Sequence, residues 1–510
     1  MFRLLGLLGG LSLATDLGTG APLEESLKRA VVATRLANDL ASHQLDTGDV
    51  LYTALLQHLG CTAYAHETAE LWGDDITFVR MAFLTDSTRT RDLWGTFVGG
   101  LAESTGWSRP RVAATMLTKG RKGATEGPAA TCEIARDASR LLGLPESVQA
   151  NLFHGLTMWN GKGDPSVAGD SIPLATRVMH VASVGVLFAL HAGTSEAVAQ
   201  VRRRAGSYLD PAVADVFVDH ADELVGDLDE IDAYTELLDS EPDPVRLVPD
   251  EEIEAVARTF GNLADLKSLW LQGHSSAVAD LAASAVQHLG LGDHVATVRV
   301  AGHVHDLGRI GVPSRIWNKP GPLSAGERDQ ARLHAYHSER ILARVPALAE
   351  VAVLAGQHHE RCDGTGYHRG LTGSHLSLAS RALAAADWFR GLVEDRPYRP
   401  AQSPAQAGRR LHEEARNGGL DGDAVAAVLA AAGLGAGARR QRPGDLTDRQ
   451  VEVLRLVALG LSNVQIAERL VISTRTAEHH VQDIYVKIGV STRAGAALFA
   501  MEHGLLDKSG

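Results

Sequence analysis

HVHDLGRIGVP, residues His303 to Pro313, sets an imidazole and a carboxylate side by side at His305 and Asp306. If it is helical, adjacent His305 and Asp306 project about 100° apart, so one can ligate a metal ion while the other reaches a second. Arg309 lies four residues past His305 on the same face, where its guanidinium could hold a phosphate or close a surface salt bridge. Working outward, the span from His274 to Asp387 carries His274, His303, His305, Asp306, His334, His337, His358, His359 and Asp387. A lone helical histidine is most often a core or surface residue; a set is different. Imidazoles and carboxylates without thiolates suit Fe, Mn, Co or Ni, and such groups can hold two ions about 3.5–4 Å apart, placed for in-line attack of water on phosphorus. The pattern points to phosphodiester chemistry.

Apolar residues recur at three and four positions across nearly all 510 residues, and Val/Ile alternation is scarce, so the fold class expected is all-α. A chain this long exceeds one hydrophobic core. Two breaks divide it: DSEPDPVRLVPD at Asp239 to Asp250, and AAGLGAGARRQRPG at Ala431 to Gly444. The expected domains are 1–235, 250–430 and 445–510, with a linker over 431–444.

Six motifs in the middle domain, GHSSAVADLA, HVHDLGRIGVP, PGPLS, HAYHSERIL, HHERCDGTGYHRGL and AAADWFRGLVEDRPYRPA, resemble the HD-GYP subgroup of the HD phosphohydrolase superfamily over roughly Leu266 to Leu429. The resemblance implies a helical domain with two or three metal ions, Fe or Mn, that hydrolyses cyclic di-GMP or a related phosphate ester. By position it makes His274, His305, Asp306, His334, His358, His359 and Asp387 the ligands. It gives Asp306 and Arg309 catalytic roles, and it makes Arg361, Asp363, Gly364, Gly366 and Tyr367 the loop that approaches substrate. Two residues depart from the family pattern: His368 replaces its Pro after Gly-Tyr, and Arg309 replaces its Lys. A planar fork is no simple substitute for a point ammonium.

The first domain reads as a worn copy of the second. QHLGCTA at Gln57 to Ala63 parallels HDLGRIG at His305 to Gly311; WNGKGDP at Trp159 to Pro165 parallels CDGTGYH at Cys362 to His368; IPLATRVMHVAS at Ile172 to Ser183 parallels LSLASRALAAAD at Leu376 to Asp387. The alignment sets Gln57 and His58 against His305 and Asp306, Gly155 and Leu156 against His358 and His359, and Ser183 against Asp387. Either Glu25 or Ser26 faces His274. A degenerate HD-like domain without metal ligands is therefore expected, serving to pack on the second copy or to sense a ligand.

The end of the chain carries helix-start signals. Thr447 with Gln450 and Ser462 with Gln465 are capping boxes, and Ser473 caps a third helix whose Ala477, Val481, Ile484 and Ile488 form an apolar stripe. LTDRQVEVL, GLSNVQIAERL and STRTAEHHVQDIYVKIGV resemble the LuxR-type helix-turn-helix family across about 60 residues of the chain. The resemblance implies four helices, with Arg475, Thr476, Glu478, His479, His480, Gln482 and Lys487 on or bracing the face that meets double-stranded DNA, and a dimer on paired half-sites. Gln450 and Ala477 stand where the family usually has Glu and Val.

The net charge of −13 excludes a uniformly basic coat, so DNA contact must be local. Cys61, Cys132 and Cys362 are odd in number and widely spaced, which predicts free thiols and a cytoplasmic protein. The Leu/Gly run at Met1 to Ala14 superficially resembles a leader but flows into a helical pattern, and no stretch reads as a membrane span. Two functions compete: a transcriptional regulator carrying a working phosphohydrolase, or a non-catalytic metal or nucleotide sensor that only regulates transcription.

Overall fold

The computed structural model describes residues 1–40, 45–162, 167–433 and 446–506. The expected linker falls mostly on residues 434–444, and part of WNGKGDP on 163–165; both lie outside the described residues. Helices dominate as expected, and the described residues form two compact units, Met1–Asp250 and Glu251–Gly510.

In the first unit the opening Leu/Gly run becomes the helix Leu4–Gly18, almost wholly buried. It packs beside the helices Glu25–Asp39 and Ala233–Asp239. Phe2–Arg3 pairs antiparallel with Leu247–Val248, so the Pro-rich break at Asp239 to Asp250 is stitched to the start of the unit. The expected edge at residue 235 falls inside the helix Ala233–Asp239, and the unit reaches Asp250.

One expectation needs correction. The helix Leu174–Ala192 does have the length and mean hydropathy, 1.4, of a membrane span. Two thirds of it (67%) is buried within the protein, as a core helix would be. The helix Leu378–Val393, set opposite it by the sequence parallel, carries Asp387 where this helix carries Ser183.

The second unit begins with Ile253–Asp265, His274–His288 and Val295–Val304, continues through a tight turn at Leu307–Gly311, and adds Ala325–Leu342, Ala349–Gly356, Leu378–Val393, Pro404–Arg416 and Gly422–Gly433. Phe260, Val278, Ala282, Ala301 and Val304 form part of its core. Two glycines let backbones touch: a Cβ on Gly302 would stand 2.4 Å from Ala279 Cα, and one on Gly308 would stand 2.1 Å from His334 O. These contacts draw the His305–Asp306 corner into the centre of the bundle. Four helices follow: Asp448–Ala458, Asn463–Leu470, Thr474–Ile488 and Arg493–Glu502. Both capping boxes are present, and Ser473 Oγ accepts from Thr476 N at 3.1 Å.

Candidate metal centre and nucleic-acid interface

All seven sequence-predicted ligands converge. His274 starts its helix and is 1% exposed; its Nε2 lies 3.1 Å from Asp387 Oδ1 and 3.5 Å from Asp306 Oδ2. His305 Nε2 is 3.0 Å from Asp306 Oδ2 and 3.7 Å from Asp387 Oδ1. His334 and His358 bring their Nε2 atoms within 3.1 Å of each other, at 3.2 and 3.5 Å from Asp306 Oδ1. His359 Nδ1 reaches Asp387 Oδ2 at 3.5 Å. Asp306 sits between two donor groups, His274–His305–Asp306 and His334–His358–His359; within each, one ligand atom per residue lies within 4.8 Å of the others.

Backbone carbonyls aim the rings. Nδ1 of His305, His334 and His358 pairs with the carbonyl three residues earlier, Gly302, Ala331 and Ala355 respectively, at 2.8, 2.6 and 2.5 Å. That contact turns Nε2 toward the cluster and fixes the tautomer suited to ligation. His274 instead pairs Nδ1 with Glu394 Oε2 at 2.8 Å, a carboxylate–imidazole pair that sequence reading passed over. Glu394 is one acidic residue among the charges of VEDRPYR, and only the fold distinguishes it.

These residues fit a cation. His305 Nε2 and both carboxylate oxygens of Asp306 are buried without a well-formed hydrogen bond, an expensive arrangement unless another group completes it. Burial alone would lower the His305 imidazole, yet Asp306 and Asp387 raise it to about 10. Against the same burial, Arg309 and His305 hold Asp306 well below the carboxylate range. Burial keeps His334 down to about 4 and His359 well below its ordinary value. Two buried carboxylates beside five imidazoles offer a cation both charge and nitrogen donors.

Arg309 places Nη2 2.9 Å from Asp306 Oδ2, while its Nε and Nη1 are buried without partners. Its guanidinium lies 5.2 Å from the ring centre of Trp317. The Tyr367 ring lies 4.4 Å from that of His359, tilted by 39°, and 5.3 Å from the Arg332 guanidinium. The rest of the expected substrate loop is spent on itself. Arg361 pairs with Asp363 and Glu414 at 3.0 and 2.8 Å, Asp363 Oδ1 accepts from Thr365 N, and a Cβ on Gly366 would stand 2.7 Å from Glu360 Cα. Gly364 takes a φ of +77°. The loop brings Tyr367 to the cluster, and Arg361, Asp363, Gly364 and Gly366 shape its turn.

On the helix Thr474–Ile488, Ala477, Val481 and Ile484 are buried; Arg475, Thr476, Glu478, His479, Gln482 and Lys487 are exposed and His480 is half-buried. Lys487 Nζ donates to Gln450 Oε1 at 2.9 Å, bracing this helix on the first of the four. Cys61, Cys132 and Cys362 form no disulfide.

A helical bundle with clustered imidazoles around an His-Asp corner defines the class of HD-domain phosphohydrolases. The HD domain family matches residues 258–424, and the bacterial regulatory proteins of the luxR family match 445–500. The chain is 30% identical over 442 residues to a 3'3'-cGAMP-specific phosphodiesterase 3 of Vibrio cholerae, covering 85% of this chain and 95% of that protein. A match of that length takes in much of the first unit as well as the second. A cyclic di-GMP phosphodiesterase of Pseudomonas aeruginosa is 36% identical over 163 residues, 32% of this chain and 39% of its own. The crystal structure of a V. cholerae cyclic GMP-AMP phosphodiesterase superposes with a TM-score of 0.59 at 25% identity, over 85% of this chain and 98% of that one. The chain belongs to the HD-GYP family of metal-dependent phosphodiesterases and ends in a LuxR-type DNA-binding domain.

Proposed function

We propose that the second copy hydrolyses a cyclic dinucleotide, cyclic di-GMP or 3'3'-cGAMP, and that the chain regulates transcription as a cytoplasmic homodimer. The observation that carries this reading is the buried corner of His305 Nε2 and both oxygens of Asp306, which close no well-formed hydrogen bond, ringed by His274, His334, His358, His359 and Asp387. These seven side chains would hold two ions, Fe or Mn, one in each donor group. When bound, the ions supply Lewis-acid polarisation of the phosphodiester and a nucleophile at neutral pH. Arg309 offers its unpartnered Nε and Nη1 to a phosphate oxygen as charge-assisted donors. Trp317 packs against that guanidinium, and Tyr367 offers a ring to a nucleobase. In the reaction a water oxygen bonds to phosphorus, the P–O bond to the sugar 3' oxygen breaks, and that oxygen takes a proton. Glu394 keeps His274 turned toward the cluster from behind.

The four-helix end presents Arg475, Glu478, His479 and Gln482 to base edges, with Thr476 and His480 at the backbone. Full-length protein loaded with Mn or Fe should open cyclic di-GMP or 3'3'-cGAMP to a linear dinucleotide, and a combined His305→Ala, Asp306→Ala variant should not, while still binding DNA. Metal and nucleotide binding without any linear product would instead support a sensor.

A further inference from the structure

Resting on that reading and extending it, we propose that the turn delivering His274 also carries the DNA-binding domain, so that filling the metal centre and binding DNA are energetically coupled. The turn runs from Leu266 to Gly273, and its last residue directly precedes His274. Trp270 O accepts Arg396 Nη1 at 2.6 Å, Arg396 Nη2 lies 3.0 Å from Glu394 Oε2, and the same oxygen meets His274 Nδ1 at 2.8 Å. One carboxylate thus holds the ligand imidazole and, through Arg396, the backbone of the turn. Asp265 clamps the other side, accepting Ser275 N and Oγ at 3.0 and 2.7 Å. Movement of His274 is passed to residues 269–273, and the reverse.

The outer side of this turn is occupied by the DNA-binding domain. A Cβ on Gly460, which has φ +78°, would stand 2.5 Å from Leu269 Cδ1, and one on Gly273, with φ +79°, would stand 3.3 Å from Leu506 Cδ1. The helix Arg493–Glu502 packs on the helix Ile253–Asp265. Arg455 Nε donates to Leu505 O at 2.6 Å, which ties the tail bearing Leu506 to the first of the four helices. Arg475, Glu478, His479 and Gln482 remain exposed in this arrangement. The contact therefore leaves the reading face open and acts on the freedom of the domain to turn against the bundle. Linkage makes the effect reciprocal: whatever factor metal imposes on DNA affinity, DNA imposes on metal affinity.

The test uses the full chain, manganese alone as the ligand, and a duplex selected on this protein from a random-sequence pool. Manganese should change the dissociation constant for the duplex by about fivefold or more. The change should vanish in Leu269→Asp and in Leu506→Asp, and the latter should keep the wild-type hydrolysis rate. It should also vanish in the His305→Ala, Asp306→Ala variant, which removes any effect of manganese on DNA itself. A wild-type protein that loads metal and hydrolyses substrate while its DNA affinity stays fixed overturns this proposal alone. An equal shift in the Leu269 and Leu506 variants also overturns it. A protein that takes up no manganese overturns the hydrolase reading with it.

Discussion

In the first copy Asp16 accepts Ser26 N and Oγ, both at 3.0 Å; in the second, Asp265 does the same with Ser275. The two clamps place Glu25 opposite His274. Around them the scaffold repeats while its contents change. Gln57 and Ser183 share a short hydrogen bond where His305 and Asp387 lie 3.7 Å apart. Ala54, three residues before Gln57, gives its carbonyl to Arg29 Nε at 2.8 Å, whereas Gly302, three before His305, receives the imidazole at 2.8 Å. Arg80 pairs with Glu25 at 3.0 Å. His58, in the place of Asp306, is buried against Phe83 and is held well below its ordinary pKa by burial, with Arg29 and Arg80 adding to the effect. At these positions Glu25 is paired with the Arg80 guanidinium, Gln57 is bonded to Ser183, and His58 lies near Arg29 and Arg80, so fixed cations stand where the second unit gathers carboxylates and imidazoles. The Asp–Ser clamp is common to the two units, whereas the side chains gathered beside it are not.

The comparison breaks most visibly through substitution at matched positions. His305→Ala with Asp306→Ala should take dinucleotide hydrolysis to background, while Gln57→Ala with His58→Ala should leave it within about twofold, because neither residue meets substrate; product chromatography decides both. Glu394→Gln should lower metal affinity by about 10–100-fold, the usual consequence of losing the partner that orients a ligating imidazole, and chelator competition measures it. In the first copy no comparable loss should follow Arg80→Gln, whose partner Glu25 ligates nothing.

Smaller effects concern stability. Burial lifts the Asp16 carboxyl from 3.8 to about 7, against the opposing pull of Arg29. Below 3.8 the group is neutral in folded and unfolded chains alike and its burial carries no charge penalty. Between 3.8 and about 7 the folded protein keeps a proton that the unfolded chain has released, so this contribution is lost as pH rises through about 7. Denaturation midpoints from pH 4 to 8 should show that slope in wild type and lose it in Asp16→Asn. Least in size, Thr447→Ala should cost about 1 kcal/mol by removing the cap of the first DNA-binding helix, seen in its thermal transition, with hydrolysis unchanged.

Motif spacing picked out the clustered side chains: His274, His334 and Asp387 fall on helices, while His305–Asp306 and His358–His359 sit just past the ends of the helices Val295–Val304 and Ala349–Gly356, where the chain turns into the cluster. Helix starts in the DNA-binding end were equally legible, since Thr447, Ser462 and Ser473 make the hydrogen bonds their types suggest. Glu394 was not, because a carboxylate gains its meaning from a ring 120 residues away in the chain. Nor could periodicity choose between Glu25 and Ser26, a register settled only by the Asp16 clamp. Arg361 and Asp363 read as substrate contacts by position, and their pairing with each other was not legible from spacing. The apolar helix Leu174–Ala192 misled in the other direction, its length hidden by the polar residues Arg177 and His180 within it.

The most direct test is bound metal, measured by elemental analysis on full-length protein purified in the presence of manganese. One ion per donor group, hence two per chain, should be found in wild type and in the Gln57→Ala, His58→Ala variant, and both should be lost from His305→Ala, Asp306→Ala. Undiminished metal in the latter, or its disappearance from the former, would contradict the division of labour between the two copies.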